Sequence, residues 1–137
     1  MSARSFLDTN VLVYTDDHDT PHKQRVALDL VEQFRLQRTG VVSTQVLQEY
    51  FAAATRKLKV RPDLARRKVE IFAHLDLVHV DRDLILSAID LHCLHVVSFW
   101  DALIVRAALA SGCTVLLSED LQPGQRLNGL QIVNPFA

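Results

Sequence analysis

The sequence predicts an α/β fold, a central and mostly parallel β-sheet flanked by α-helices on both faces. Three observations predict it. Short apolar runs alternate with longer stretches of helical periodicity along the 137 residues. One run, Thr114–Leu117, is of the continuously apolar kind expected of a strand covered on both faces. Two acids, Asp8 and Asp120, closely follow strand-like runs, the place where open parallel sheets bind their ligands.

The first strand lies around Ser5–Leu7. Thr20-Pro21 reads as an N-cap followed by proline at the first helical position. Val26, Leu30, Val31 and Phe34 then give one apolar stripe, and Gly40 stops the helix. Val41-Val42-Ser43 is a second strand. A helix from about Thr44 carries Leu47, Tyr50, Phe51, Ala54 and Leu58 at helical spacing.

Pro62 restarts helix, with Ala65, Val69 and Phe72 on one face. Leu77–Val80 reads as a third strand, and the helix after it uses Ile85, Ala88 and Ile89. Ser98 caps the next helix and Gly112 ends it. That helix is apolar nearly all round, which predicts a central position. Thr114–Leu117 and Gln131–Val133 are the last strands. With no repeat, low-complexity tract or linker, residues 1–137 read as a single domain.

Composition narrows the function classes. Hydrophobic residues make up 49% of the chain and only four residues are glycine, which argues against disorder. No apolar run approaches the roughly 18 residues of a membrane span, and Arg4 brings charge too early for a signal-peptide core. The expectation is cytoplasmic residence without a membrane partner. Cys93 and Cys113 form no metal-type pair or disulfide framework and read as small core residues. His92 lies on the predicted Ile85–Ala88–Ile89 face and reads as a core or pocket histidine. The stretch Asp16, Asp17, His18, Asp19 reads as a solvated loop.

A net charge of −1 argues against a simple nucleic-acid binder. The distribution says more. Arg56, Lys57, Lys59, Arg61, Arg66, Arg67 and Lys68 are seven of the fifteen basic residues, opposed within that stretch only by Asp63. They form either a solvated helix face or an RNA-contact surface.

Four acids carry the chemistry: Asp8, Glu49, Asp101 and Asp120. Each begins, ends or edges an apolar element, where an uncompensated carboxylate is costly. A shared divalent cation would explain them together. Local roles compete with that reading. Asp8-Thr9-Asn10 is good turn or capping chemistry, and Ser98-Phe99-Trp100-Asp101 fits a capping box. Glu49 could be a solvated edge residue, and Glu119 contends with Asp120 for the fourth position.

In this order the blocks resemble the PIN-domain family, particularly its VapC-type toxins. They are Phe6-Leu7-Asp8-Thr9-Asn10-Val11-Leu12, Gln45 to Tyr50 around Glu49, Ser98 to Ile104 around Asp101, and Leu116-Leu117-Ser118-Glu119-Asp120. The ending Val133-Asn134-Pro135-Phe136 also matches, so the resemblance spans nearly the whole chain. It implies a PIN-like sheet and an acidic pocket of Asp8, Glu49, Asp101 and Asp120 holding Mg²⁺ or Mn²⁺. Asp8 and Asp101 would be the main ligands, with Asn10, Ser118 and Glu119 in support. It further implies endoribonuclease activity by a metal-activated water, an RNA substrate, a cognate antitoxin and a homodimer. A catalytically silent PIN-like binding module is the alternative. An aspartate-nucleophile phosphatase or dehalogenase is less well matched, because its Asp-x-Asp-x-Thr pattern is absent from Asp8-Thr9-Asn10-Val11-Leu12.

Overall fold

The computed structural model describes residues 3–122 and 124–137, so Met1 and Ser2 of the opening segment lie outside it. The order of elements begins β1 (Ser5–Leu7), α1 (Thr9–Tyr14), α2 (Pro21–Gln37), β2 (Gly40–Ser43), α3 (Thr44–Arg56) and α4 (Pro62–Phe72). It continues β3 (Asp76–Val78), α5 (Arg82–Leu94), α6 (Phe99–Ala110), β4 (Val115–Leu117), β5 (Arg126–Leu127) and β6 (Leu130–Val133).

Among the described residues the strands form one sheet in the order β3-β2-β1-β4-β6-β5, in which only the β5–β6 pair is antiparallel. From β1 the chain winds outward to β2 and β3, then returns to β4 on the other side of β1. Helices α1–α4 pack among themselves and α5 packs on α6, the grouping expected when right-handed crossovers place the two sets on opposite faces. The reversal between β1 and β4 opens a crevice at their carboxyl ends. Register locks the two strand ends level there: the Asp8 amide donates to the Leu117 carbonyl at 3.0 Å.

The core runs along both sheet faces. Phe6, Leu7, Val41, Val42 and Leu116 have essentially no accessible surface. Helix α6 buries Ala102, Leu103, Ile104, Val105, Ala107 and Ala108, as a nearly all-apolar helix must. Gly112, at φ +78°, takes the left-handed turn that lets the chain leave α6 for β4. No single helix is long and apolar enough to cross a membrane among the described residues.

Several local readings need correction. Gly40 does not stop α2; Arg38 takes the left-handed position at φ 58°. Gly40 instead opens β2, where an added Cβ would lie 2.6 Å from Cβ of Phe34. Thr20 sits at the N-cap of α2, but its hydroxyl makes no capping bond. The third strand is displaced to Asp76–Val78. Helix α1 and strand β5, both short, went unanticipated.

Helix α5 is rotated from its predicted setting. It buries Leu84, Ala88 and Leu91, leaving Ile85 and Ile89 more than a third exposed. Apolar residues on several sides of α5 made the pattern ambiguous, and packing against α6 chose among them. His92 is therefore exposed, its Nδ1 2.6 Å from the Val97 carbonyl. Cys93 is exposed too, while Cys113 is buried as expected.

Gly40→Ala is expected to destabilise the fold by about 1–3 kcal/mol, because Phe34 Cβ lies on a helix and cannot easily yield. Urea unfolding checks this; an unchanged midpoint would show that β2 and α2 separate freely.

Candidate active site

Asp8 is the N-cap of α1, and its cap role coexists with its position at the crevice. One carboxylate oxygen accepts the Thr9 amide at 2.7 Å, the other the Ser118 hydroxyl at 2.7 Å. Ser118 is fully buried at the end of β4, and its oxygen also accepts the amides of Asp120 and Leu121 at 3.2 and 3.3 Å. One side chain thus aligns the loops after both central strands.

Asn10, on α1, completes the link. Its amide nitrogen donates to Asp120 at 3.0 Å, and its oxygen accepts the Glu119 amide at 3.2 Å. Glu49 reaches the same place from α3. Thr9 Oγ1 donates to one Glu49 oxygen at 2.6 Å, and Gln45 Nε2 to the other at 3.3 Å. Asp101 lies in the first turn of α6, where the Ser98 hydroxyl caps its amide at 3.1 Å. Asp8, Glu49, Asp101 and Asp120 all line a single cavity of about 480 Å³.

Their charges conflict. Asp8 is only 6% exposed. Burial first, and then the charges of Asp120 and Asp101, push its pKa up to about 6, against the opposing bonds from Ser118 and Thr9. Burial likewise raises Asp101, helped by Asp120 and Glu49 and opposed by Ser118's counterpart on α6, Ser98. Among the described residues only Lys57 brings a basic side chain to the cavity wall. The hydrogen bonds on the acids come instead from neutral groups, which orient the carboxylates without cancelling their charge.

Glu119 differs. It accepts Tyr14 Oη at 2.7 Å and Lys23 Nζ at 2.9 Å. Burial pushes its carboxyl up, but those two bonds outweigh it and hold it below the usual range. Its charge is already matched by Lys23, whereas among the described residues the Asp120 carboxylate is held by the neutral Asn10 amide alone.

An all-oxygen set of carboxylates fits a hard divalent cation, and a raised Asp8 is what a cation would settle. Among the described residues no three His, Cys, Asp or Glu side chains converge tightly enough to enclose an ion. A cation here would keep water in its shell, as Mg²⁺ habitually does.

The PIN domain family model matches residues 5–125. The chain belongs to the PIN domain family. No curated protein sequence matches it. Its fold is shared with several solved toxin and toxin–antitoxin structures. A toxin–antitoxin complex from Klebsiella pneumoniae superposes with TM-score 0.68 at 16% identity, covering 96% of this chain and 97% of that one. The DNA-bound VapBC of Salmonella typhimurium gives 0.66 at 21%, with the same 96% and 97% coverage. The sarcin–ricin-loop-cleaving VapC toxin of Mycobacterium tuberculosis gives 0.62 at 18%, over 82% of this chain and 86% of that one.

The basic stretch of this PIN domain does not lie on one continuous surface. Arg61 pairs with Asp63 at 2.7 Å, and Arg66 pairs with Glu70. Lys68 is half-buried and donates to Asp16 and Thr15, each at 3.0 Å. Lys57 turns toward the acidic cavity, while Lys59, Arg61, Arg67 and Lys68 line a second hollow beside α4. Arg56 is exposed at the end of α3.

Asp16 corrects the loop reading. It is half-buried and accepts both Lys68 and the hydroxyl of fully buried Tyr50. Burial and the neighbouring carboxylate both push the Tyr50 pKa up. Thr9, Gln45, Tyr14, Lys23 and Trp100 also line the candidate site or support it, though the sequence singled out none of them as a site residue. Gln45 had a signal, since it stands four residues before Glu49 on one helix face. Lys23 had none, because it meets Glu119 across 96 residues of chain.

Proposed function

We propose that this PIN domain, taken as one unit over residues 1–137, is a metal-dependent endoribonuclease and the toxin of a type II toxin–antitoxin pair. The observation that carries the reading is the convergence of Asp8, Glu49, Asp101 and Asp120 on one cavity with almost no basic compensation. The family membership and the sarcin–ricin-loop-cleaving activity of the Mycobacterium tuberculosis neighbour support it. An antitoxin partner is proposed because structural neighbours include toxin–antitoxin complexes. Cytoplasmic residence and a homodimer belong to the same proposal.

Asp8 and Asp101 would hold Mg²⁺ or Mn²⁺, with Glu49 and Asp120 completing the pocket. When bound, such an ion neutralises phosphoryl charge and makes water a stronger nucleophile. The chain's own groups do the rest. Ser118 and Thr9 fix both Asp8 oxygens, and Asn10 fixes Asp120. Thr9 and Gln45 fix Glu49. Each carboxylate keeps lone pairs free, so Glu49 or Asp120 can orient the attacking water and take its proton. A new P–O bond forms as the bond to the 3′ oxygen breaks, and water supplies the proton for the departing oxygen. The products are 5′-phosphate and 3′-hydroxyl ends. Lys57 on the cavity wall, with Arg56, Lys59 and Arg67 beyond it, would meet the RNA backbone. Arg61, Arg66 and Lys68 contribute less, being paired within the fold.

Purified protein is expected to cleave total RNA with Mn²⁺ and to stop with EDTA. Millimolar Mn²⁺ should raise the melting temperature of the metal-free protein, by about 2.7 kcal/mol of stability if the ion is at 100 times its Kd. Binding without any cutting would favour a silent RNA- or protein-binding module. An unchanged melting temperature would count against the acids as ligands.

A further inference from the structure

We propose that Trp100 is a stacking platform for the unpaired nucleobase beside the scissile phosphate in the acidic cavity. The inference rests on the ribonuclease reading and deepens it. Trp100 is the chain's one tryptophan. It stands 62% exposed on the wall of the acidic cavity, one residue before Asp101. An indole left in water at such a place forgoes considerable burial.

Its setting is firm. The Trp100 carbonyl accepts Gln45 Nε2 at 3.2 Å, the same amide group that donates to Glu49. Gln45 is itself 6% exposed. Phe99 props the indole edge-on, with ring centroids 5.1 Å apart and planes at 68°. The Trp100 backbone is therefore tied to Glu49 through Gln45 and adjoins Asp101, with the Phe99 ring against the indole.

Charge explains why a stacking contact is needed here. A cavity walled by carboxylates, with Lys57 the one basic side chain on it among the described residues, offers a polyanion little attraction from the chain's own groups beyond what a bound cation would supply. Base–aromatic stacking is indifferent to that charge and to base identity. A volume of about 480 Å³ lies within the range for small-molecule sites and leaves room for one splayed nucleotide. Paired bases in a duplex have both faces occupied and cannot reach the ring.

Because the chain has one tryptophan, its emission reports on this site alone. The experiment titrates Asp8→Asn protein in Mg²⁺ with a ten-nucleotide single-stranded RNA and with its duplex. Single-stranded RNA should quench the emission and duplex should leave it unchanged. In the wild-type background, Trp100→Ala should lower kcat/KM on the single strand roughly tenfold or more, with an unaltered melting temperature, and Trp100→Phe should recover most of it. Equal responses to both RNAs, or no response to the single strand, would overturn the proposal. So would a blue shift that grows with protein concentration without RNA, which would mark Trp100 as a contact between copies. Failure of the wild-type protein to cut any RNA would instead strike the ribonuclease reading, since the emission measurement needs no cleavage.

Discussion

The Asp8→Asn variant is expected to lose metal-dependent RNA cleavage by about a thousandfold while folding more stably than the wild type without metal. Asparagine keeps an acceptor for the Thr9 amide and removes the buried charge. The sign follows from the raised pKa of about 6 against an ordinary 3.8. Between those values the folded state binds more protons than the unfolded one, so wild-type stability falls as pH rises from about 4 to 6 and is then level. The full shift corresponds to about 3 kcal/mol. The realised gain should be nearer 1–2 kcal/mol, because the new amide must share Ser118 Oγ with two backbone donors. Thermal unfolding of both proteins at pH 4 and pH 7.5, with EDTA and with Mn²⁺, checks this. The variant should lead at pH 7.5 in EDTA, and the wild type should close the gap in Mn²⁺. A variant that is less stable at pH 7.5 in EDTA would show that Asp8 is not a strained carboxylate.

The second large effect concerns Asp16. Asp16→Ala is expected to destabilise the protein by about 3 kcal/mol, since it strands the buried Tyr50 hydroxyl and half-buried Lys68 together. Tyr50→Phe removes one donor with its need for a partner and should cost only about 1 kcal/mol. Urea midpoints at constant slope measure both. A loss within 0.5 kcal/mol of zero for Asp16→Ala, roughly the size of a surface change, would return Asp16 to the solvated loop.

Much of the fold was legible for local reasons. Strand β1 and the starts of α3, α4 and α6 carry their own signals in apolar patterning, Pro62 and Ser98. Helix α5 was less legible, because apolar residues on several sides leave its buried face undecided until α6 packs against it. Helix α1, at six residues, is too short for periodicity to speak. Gly40 misled because a glycine after a helix usually stops it, whereas this one makes room for Phe34.

The same division holds for the candidate site. By itself the sequence determined the residue types, their order and their attachment to strand ends and helix starts, since backbone preference and apolar spacing act over a few neighbouring positions. It thereby determined the family. Only the tertiary structure decided which charges meet. It set Lys23 against Glu119, left Asp120 with the neutral Asn10 amide, tied Asp16 to Tyr50 and Lys68, and placed Trp100 on the wall of the acid cavity. Electrostatic and hydrogen-bond partners are chosen by distance in space, and spacing along the chain carries no record of it.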